Sequence, residues 1–420
     1  MKVLVVGGGG RCHAIVDALT RSPKVDKIYC APGNAGIAAQ AETVALKDTD
    51  VEGLLGFARD HAVDLTVVGP ESALAAGIVN RFRAEGLRIF GPTTEAARIE
   101  TSKEFAKELM MRHGIPTAGY RTFDNYEAAR AYVHGRPLPA VLKYDGLAAG
   151  KGVVVAMTME EADAALRDML LDDKFGHGRV VVEDYLEGPE FSFMCFVSGE
   201  RVWPMPLAQD HKRAFDGNEG PNTGGMGAYS PVPFISEAER NDALERIMKR
   251  TAAAMVAEGV PFTGVLYGGL MKTAEGVKVI EFNARFGDPE TEVVLPRLQS
   301  DIYDIFSAVA DGTGAAELRW DDRAALGVVM ASKGYPGSCE KGFPIEGIEA
   351  AEADPEVTVY QMGTARRDGR LVTAGGRVLM VVGRGETLEQ AHEKAMQGVR
   401  TIRCENLFYR HDIGAAALHK

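Results

Sequence analysis

The first 100 residues alternate short apolar runs with amphipathic stretches, and each apolar run ends in a turn that contains glycine. This alternation predicts parallel strands joined by crossover helices, which is the organisation of an α/β domain. Ligands of open α/β sheets bind at the carboxyl ends of the strands, so the glycine turns are the candidate wall of a site. The predicted strands are Lys2 to Val6, Lys27 to Cys30, Leu65 to Val68 and Leu87 to Phe90.

The pattern changes near residue 100, where Thr101 to Glu104 has the spacing of a helix capping box. Helical and strand patterns then predict a small α+β unit, and a strand-rich segment begins at about 325. We therefore expect an α/β and α+β multidomain chain with domains at 1–100, 101–324 and 325–420. The middle domain would contain a small subdomain at about 120–192.

The charge balance is acidic, with 47 Lys and Arg against 59 Asp and Glu, a formal net charge of −12. Such a surface repels nucleic-acid phosphates and anionic lipids, so we expect neither nucleic acid nor a membrane as partner. The five cysteines show no CxxC spacing, and Lys2 to Val6 is too short for the apolar segment of a secretion signal. These features predict a cytoplasmic protein.

Gly7 to Gly10 lie between a predicted strand and a predicted helix, where backbone N–H groups form an anion site. A GxGxxG pattern is absent, because Cys12 or His13 stands at the third glycine position, and Cys30 and Ala31 stand where an acid would bind ribose. We interpret the turn as a phosphate or sugar-phosphate site. A tight packing turn and a nicotinamide dinucleotide site are the alternatives.

A second glycine-rich segment, Gly146 to Gly152, lacks the spacing and the Ser or Thr of a P-loop. It leads into Val153 to Val155 and not into a helix, which predicts a hairpin between two strands. Such a hairpin can close over a triphosphate and present backbone donors to it. The alternative is a surface hairpin without a ligand.

Glu281 and Asn283 share one face at the end of a predicted strand, and Arg285 follows them. Two oxygen ligands on one side suit Mg²⁺, which takes few protein ligands and completes its shell with phosphates and water. A solvated strand edge is the alternative. The nearby arginine favours a functional site.

The stretch from Gln209 to Pro233 predicts a long loop rich in Gly, Asn, Asp and Pro. Loops of this length in compact domains are usually functional. The loop mixes acceptors, cations and glycines in Gln209 to Arg213 and in Pro221 to Gly227. An ordinary exposed loop is the alternative.

Together these segments resemble the glycinamide ribonucleotide synthetase family, and the resemblance runs from end to end of the chain. The middle-loop motif is the most specific one, because it is not shared across the wider ATP-grasp superfamily. The motifs that carry the resemblance are GGGGRxHA (7–14), PGNAG (32–36), DGLAAGKGV (145–153), QDHKR (209–213), GPNTGGMGAYSP (220–231), EFNxRFGDPET (281–291) and RxDIG (410–414).

The resemblance implies an ATP-grasp ligase of de novo purine biosynthesis. ATP would convert the glycine carboxylate into an acyl phosphate, which the amine of 5-phosphoribosylamine attacks. It also implies a pre-ATP-grasp N-terminal domain, an ATP-grasp core with a lid, and a small C-terminal domain. The implied ATP-binding residues are Lys103, Lys143, Gly150, Lys151, Gly152, Glu183, Tyr185, Leu186 and Glu190.

The resemblance further implies Mg²⁺, or Mn²⁺ in its place, at Glu281 and Asn283. We expect the chain to be a monomer or a weak homodimer. Arg285, Lys143 and Lys151 are the implied catalytic residues, with Arg285 stabilising the transferring phosphoryl group and the oxyanion. The implied substrate-binding residues are Gly8, Gly9, Gly10, Asn34, Asp210, Asn222, Thr223 and Arg285.

Cys12 departs from the family pattern, which has Glu at this position. A thiol at a helix N-terminus can have a lowered pKa, so we expect Cys12 to be sensitive to oxidation. Three rival functions remain at this point: an ATP-grasp ligase for another carboxylate, a nicotinamide oxidoreductase, and a nucleotide-binding regulator without catalysis.

Overall fold

The structure is a computed structural model that describes residues 1–146, 152–172, 174–176, 178–314 and 317–418. Its first domain contains a parallel sheet in the strand order β3-β2-β1-β4-β5, so the sequence-based prediction of a parallel α/β domain is confirmed. The strands are β1 Lys2–Gly7, β2 Lys27–Pro32, β3 Glu42–Thr43, β4 Leu65–Val68 and β5 Ile89–Phe90, and the helices are α1 Gly10–Thr20, α2 Val51–Asp60, α3 Glu71–Ala75, α4 Ile78–Ala84 and α5 Thr94–Thr101.

The next segment forms an antiparallel sheet in the order β6-β9-β7-β8. It has its own apolar core, in which α7 and α8 pack on the sheet through Val133, Leu142 and Leu166. α8 begins at a capping box between Thr158 and Glu161. The elements are α6 Lys103–Arg112, β6 Tyr120–Phe123, α7 Tyr126–His134, β7 Ala140–Tyr144, β8 Val153–Ala156, α8 Met159–Leu170 and β9 Val180–Asp184.

A second antiparallel sheet has the order β11-β10-β16-β17. The stretch predicted to be one long loop, 209–233, instead contains four short strands, β12 to β15. The elements are β10 Glu190–Ser198, β11 Arg201–Pro204, β12 Gln209–Asp210, β13 Arg213–Phe215, β14 Glu219–Asn222, β15 Gly227–Ser230, α9 Glu237–Ala243, α10 Arg250–Ala257, β16 Thr263–Thr273, β17 Gly276–Asn283, α11 Thr291–Val294 and α12 Ile302–Asp311.

The C-terminal region completes a sheet in the order β12-β15-β18-β22-β19, with β23 also paired to β18. Two strands from the 209–230 stretch therefore belong to the same sheet as the C-terminal strands. α14 begins after its N-cap Thr387 and packs on β22 and β18. The elements are β18 Ala324–Ser332, α13 Ile348–Ala351, β19 Val357–Gln361, β20 Thr364–Arg367, β21 Arg370–Thr373, β22 Arg377–Gly385, α14 Leu388–Thr401, β23 Leu407–Phe408 and α15 Ala415–Leu418.

Two further apolar cores run through the molecule outside the β6–β9 unit. Each contains residues of the N-terminal sheet, of the sheet formed by β10, β11, β16 and β17, and of the C-terminal sheet. These three parts therefore share buried surface, whereas the β6–β9 unit has a core of its own. Among the described residues, no helix is long and apolar enough to cross a membrane.

Candidate active site

The glycine turn after β1 leads directly into α1, which begins at Gly10. A Cβ on Gly8 would lie 2.5 Å from the carbonyl oxygen of Gly33, and a Cβ on Gly10 would overlap the carboxyl group of Glu292. α1 has no side-chain cap at its N-cap residue, Gly9. These contacts explain why glycines stand here, because any side chain would push the turn away from its neighbours.

Asp288, which follows β17, contacts the N-terminus of α1. The backbone N–H of Arg11 donates to Asp288 Oδ2 at 3.2 Å, and Arg377 of β22 lies 2.9 Å from Asp288 Oδ1. Although burial raises the pKa of Asp288, the charges of Arg377 and Arg11 hold it below its usual value. The turn predicted to bind a phosphate thus already carries one carboxylate of the chain, which the helix dipole favours, and Arg377 stands beside it.

Asn34 supports the glycine turn with its side chain. Its amide nitrogen donates to the carbonyl oxygens of Gly8 at 2.8 Å and Gln361 at 2.7 Å. Its Oδ1 accepts from the backbone N–H groups of Gly36 and Ile37, each at 2.9 Å. Asn34 therefore ties the turn to the C-terminal sheet through β19.

The structure contradicts the expectation of a reactive thiol at Cys12. The side chain is 1% exposed, and burial raises its pKa to about 12, more than the nearby charge of Arg11 lowers it. The sulfur fills the space that Cβ atoms on Gly7 and Gly69 would need. Desolvation of the thiolate outweighs the helix N-terminus here, because the sulfur faces the packed interior.

Glu281 and Asn283 lie on one face of β17, as the strand pattern predicts. Gly269 of β16 pairs with Glu281, and a Cβ on that glycine would lie 3.2 Å from Glu281 Cγ. The glycine therefore leaves the space that the carboxylate side chain occupies. Two oxygen-bearing side chains side by side fit a hard divalent cation that keeps most of its shell for phosphates and water.

Cationic side chains from separate segments surround Glu281. Burial raises the pKa of Glu281, but the charges of Lys212, Lys143, Lys103 and Arg285 together bring it below its usual value. The carboxylate is therefore ionised at neutral pH. The geometry concentrates positive charge at one end of β17, which is what the binding of a triphosphate requires.

Lys143 is held in place by a buried acid. Its Nζ donates to the carbonyl oxygen of Ile280 at 2.8 Å and lies 3.0 Å from Glu183 Oε1. The other oxygen of Glu183 lies 3.1 Å from Nζ of Lys107. Burial lowers the pKa of Lys107 to about 8 in spite of the opposing charge of Glu183. Glu183, predicted as a nucleotide-binding residue, thus orients a lysine with its side chain.

Lys103 stands at the start of α6 near the glycine-rich segment. Its Nζ donates to the carbonyl oxygen of Gly146 at 3.0 Å, and its backbone N–H donates to Asp145 Oδ1 at 2.5 Å. Asp145 therefore caps α6 together with Ser102. Gly150 and Lys151 lie outside the described residues, and Gly152 is buried next to β8.

Tyr185 and Leu186 follow β9 at the junction of the two antiparallel sheets. The Tyr185 side chain is exposed and Leu186 is half-buried. Their peptide N–H and C=O groups make no hydrogen bond with any other residue that the structure describes. Peptide N–H and C=O groups without such partners can form hydrogen bonds with the edge of a base.

Arg285 lies between acidic residues of two other segments. Its guanidinium is 3.2 Å from Glu71, which begins α3, and 3.0 Å from Glu100 of α5. It also donates to Asn283 Oδ1 at 3.4 Å. The arginine is thus held beside Asn283, one of the two candidate metal ligands.

Asp210 is the last residue of β12, and Lys212 lies in the short connection between β12 and β13. Burial raises the pKa of Asp210 to about 7, and the neighbouring acids Glu290, Glu190 and Glu281 add to the rise, whereas Lys212 opposes it. The charge of Asp210 in turn raises the pKa of Lys212 well above its usual value. Lys212 Nζ lies 3.5 Å from Glu190 Oε2.

A buried hydrogen-bonded group lies beside Asp210. Ser192 Oγ and Tyr267 Oη each donate to Glu290 Oε1 at 2.8 Å, and the two hydroxyls are 3.0 Å apart. Burial and the charge of Glu290 raise the pKa of Tyr267 well above its usual value. The three side chains thus form one buried hydrogen-bonded group close to Asp210.

Asn222 is the last residue of β14, and Thr223 follows it. Asn222 is exposed in β14. The hydroxyl of Thr223 donates to the carbonyl oxygen of Lys212 at 2.7 Å and accepts from Gly225 N at 3.0 Å. Arg377 donates to the carbonyl oxygen of Gly224 at 3.0 Å. The glycines of this motif thus reach the Asp288 site, whereas the Thr223 hydroxyl is used within the loop.

Sequence reasoning did not select several residues that the structure brings to the site. Two signals could have found some of them: a charged residue in the turn that follows a strand of the parallel sheet, as at Glu71 after β4, and a charge inside a motif already quoted, as at Lys212. Nothing local marks the others, because their partners are distant in sequence. The residues that were missed are Arg11, Glu71, Glu100, Lys107, Ser192, Lys212, Tyr267, Asp288, Glu290 and Arg377.

Two antiparallel sheets, with Lys143 on one and Glu281 and Asn283 at the end of the other, and with Lys143 reaching across to the carbonyl oxygen of Ile280, are the arrangement of an ATP-grasp ligase. The chain belongs to the phosphoribosylglycinamide synthetase family. The N domain of that family matches residues 1–100, its ATP-grasp (A) domain matches residues 101–291, and its C domain matches residues 325–416.

Relatives match along the whole chain. A phosphoribosylamine–glycine ligase of Halalkalibacterium halodurans is 54% identical over 420 residues, covering 100% of this chain and 97% of the relative. One of Listeria innocua is 50% identical over 422 residues, covering 99% and 100%. The crystal structure of phosphoribosylamine–glycine ligase from Thermotoga maritima has a TM-score of 0.87 at 33% identity and covers 98% of this chain and 100% of that one. The sequence-based family resemblance is confirmed.

Proposed function

We propose that this chain joins glycine to 5-phosphoribosylamine, consuming ATP and releasing glycinamide ribonucleotide, ADP and phosphate through a glycyl phosphate. The observation that carries the proposal is the ring of Lys103, Lys143, Lys212 and Arg285 around Glu281. The relatives with this name span the full chain at about half identity, which gives the substrates. The reaction belongs to purine biosynthesis.

ATP would lie between the β6–β9 unit and β17. Lys143 and Lys103 would contact the phosphates, with Lys151 and the glycines Gly150 and Gly152 closing over them. The free peptide groups of Tyr185 and Leu186 support a role in binding adenine. Glu190 would accept ribose hydroxyls, and its present partner Lys212 would then be free to turn toward the phosphates and the glycine carboxylate.

Glu281 and Asn283 would hold Mg²⁺, or Mn²⁺ in its place. The donor set fits, because one ionised carboxylate and one amide oxygen share a face beside the lysines. Among the described residues, no cluster of three or more His, Cys, Asp or Glu side chains is arranged to hold a metal ion, which favours an ion shared with the nucleotide. The ion would neutralise phosphate charge when bound.

Glycine would bind near Asp210, whose carboxylate would pair with the ammonium group. The pKa of Asp210, raised to about 7, leaves the side chain partly ionised at neutral pH and ready to accept a cation. With the ammonium held there, the glycine carboxylate can point toward the cations around Glu281. Arg285 would stabilise the phosphoryl group in transfer and the later oxyanion.

5-Phosphoribosylamine would bind at the junction of the glycine turn, Asp288 and Arg377. The backbone of Gly8 to Gly10 and the guanidinium of Arg377 offer donors to a phosphate, and the carboxylates of Asp288 and Glu71 offer acceptors to hydroxyls. Asn34 would act by holding the turn in place. The Gly224–Gly225 backbone, which contacts Arg377, supports the placement of the nearby Asn222 and Thr223 at the edge of this site.

The β6–β9 unit would close over the reactants as a lid. Its separate core allows it to move as a body, and closure would keep water from the acyl phosphate before the amine attacks. We further propose that the chain works in the cytoplasm on small molecules, without nucleic acid or membrane, as a monomer or a weak homodimer.

The test is ADP release from Mg²⁺-ATP with glycine or freshly generated 5-phosphoribosylamine omitted in turn. Release should require both compounds. Glu281→Gln should abolish it, whereas Glu275→Gln, the same change at a 72% exposed carboxylate at the β16–β17 turn, should not. Equal release without the amine, or with other carboxylic acids in place of glycine, would overturn the proposal.

A further inference from the structure

The C-terminal motif 410–414 has no part in the proposed chemistry, yet it contains one of the most buried charges of the protein. The side chain of Arg410 is 1% exposed. Burial of a guanidinium is costly unless its donors are satisfied. The hydrogen-bond partners of Arg410 therefore show which segment of the chain the motif stabilises.

Arg410 makes four hydrogen bonds, and two of them reach a separate loop. Nε and Nη2 donate to the two oxygens of Asp412 at 2.7 and 2.8 Å, the paired geometry that fixes a guanidinium plane. Nη1 donates to the carbonyl oxygen of Arg213 at 3.0 Å, and Nη2 donates to Asn218 Oδ1 at 3.0 Å. The arginine thus connects the C-terminal end of the chain to residues 211–218, here called the 211–218 loop.

The residues next to Arg410 contact the same loop. Asp412 Oδ2 accepts from Gly217 N at 2.9 Å, and His411 N donates to Asp216 Oδ1 at 2.7 Å. Gly414 N donates to Nε2 of His211 at 3.1 Å. Because burial lowers the pKa of His211 to about 4, its neutral ring keeps Nε2 as an acceptor at neutral pH.

Lys212 lies between two of the residues that this motif holds, His211 and Arg213. Its carbonyl oxygen also accepts from Thr223 N and Thr223 Oγ1, each at 2.7 Å. The backbone of Lys212 is therefore fixed on both sides, and its side chain is directed toward Glu190 at 3.5 Å.

From this geometry we propose that Arg410 is a positioning residue for catalysis: by holding the 211–218 loop it places Lys212 beside Glu281 and Glu190. The inference rests on the proposed function. Arg410 itself touches neither substrate nor nucleotide. The C-terminal domain would thus contribute to glycine activation through the loop that it holds.

The test compares steady-state kinetics of Arg410→Met, Lys212→Met and the double variant. If Arg410 acts through Lys212, Arg410→Met raises the KM for glycine about tenfold in the unmodified background, since a displacement of about 1 Å costs up to about a hundredfold. In the Lys212→Met background the same change should alter that KM less than about twofold. Arg410→Lys should restore part of the loss, because it keeps a donor to the loop.

Arg323→Met is the matched control. Arg323 pairs with Asp321, two residues away, at 2.8 Å and with Glu356 at 3.1 Å. It therefore resembles Arg410 in pairing with an acid two residues away, but neither of these partners lies in the 211–218 loop. It should leave the KM for glycine unchanged. If Arg410→Met does not fold, Asp412→Asn takes its place in the same cycle. This change keeps the side-chain volume and weakens the hydrogen bonds of residue 412 with Arg410 and Gly217.

Additive effects of Arg410→Met and Lys212→Met on the KM for glycine would overturn the inference and assign Arg410 to stability alone. An equal rise of that KM in Arg323→Met would overturn it as well. A failure of the proposed function is distinguishable, because the unmodified protein would then release ADP without requiring both glycine and the amine.

Discussion

The affinity for glycine should depend on pH through Asp210. If this carboxylate pairs with the glycine ammonium group, only its ionised form binds. Burial raises the pKa of Asp210 to about 7, whereas the glycine ammonium keeps its proton up to much higher pH. Affinity should therefore be lost as the pH falls through about 7 and should be constant above it.

The size of the effect follows from the ionised fraction of the carboxyl group. With a pKa of about 7, that fraction is about nine-tenths at about pH 8, half at about pH 7 and one-tenth at about pH 6. The Kd for glycine should then rise about tenfold for each unit of pH below the midpoint. Lys212 lowers this pKa, so Lys212→Met should move the midpoint to higher pH.

Calorimetric titration of glycine in the presence of Mg²⁺ and a non-hydrolysable ATP analogue measures this Kd without the labile amine. Asp210→Asn is the matched control, because it keeps the shape and removes the titration; its glycine binding should be weak and independent of pH. A Kd of the unmodified protein that stays constant from about pH 6 to about pH 8, or a slope that persists in Asp210→Asn, would refute the assignment.

Three other predictions concern Arg285, Glu281 and the cysteine thiols. Arg285→Gln should lower kcat for ADP release by about a hundredfold or more while the Kd for glycine changes little, since its charge acts mainly in the transition state; a matching loss in glycine affinity would contradict that role. Glu281→Gln should raise the Mg²⁺ concentration for half-maximal nucleotide binding about tenfold or more. In the unmodified protein this concentration should stay the same between about pH 6 and about pH 8, because the lowered pKa of Glu281 keeps the carboxylate ionised over that range. Iodoacetamide followed by mass spectrometry should modify the half-exposed Cys339 and spare the buried Cys12, Cys30 and Cys195; prompt labelling of Cys12 in the folded protein would show that its burial is wrong.

Local sequence patterns predicted the secondary structure well where each element carries its own signal. β4 has the predicted bounds Leu65–Val68, and β1 and β2 begin at the predicted residues Lys2 and Lys27. The short strands β12 and β15 were missed, because β15 pairs with β18, about a hundred residues later, and β12 pairs in turn with β15. A stretch rich in glycine and proline has no strand periodicity of its own.

The same distinction holds for the site. Glu281, Asn283 and Arg285 could be selected as candidates because one short segment carries them all. The pairing of Arg285 with Glu71 and Glu100, and the placement of Asp288 at the start of α1, depend on how three parts of the chain meet. Reactivity was predicted for Cys12 from its place in α1, and the direction of its side chain into the core decided otherwise.

Charge pairing across these parts explains how a chain with a net charge of −12 can bind anions. Arg11, Arg285 and Arg377 come from three separate segments, and each is paired with an acid from another one: Asp288 or Glu71. An unpaired guanidinium at this depth would be costly, so the acids keep the arginines ordered before substrate arrives. A phosphate or acyl phosphate can then replace a carboxylate as partner, and the arginines need not be reoriented at the moment of reaction.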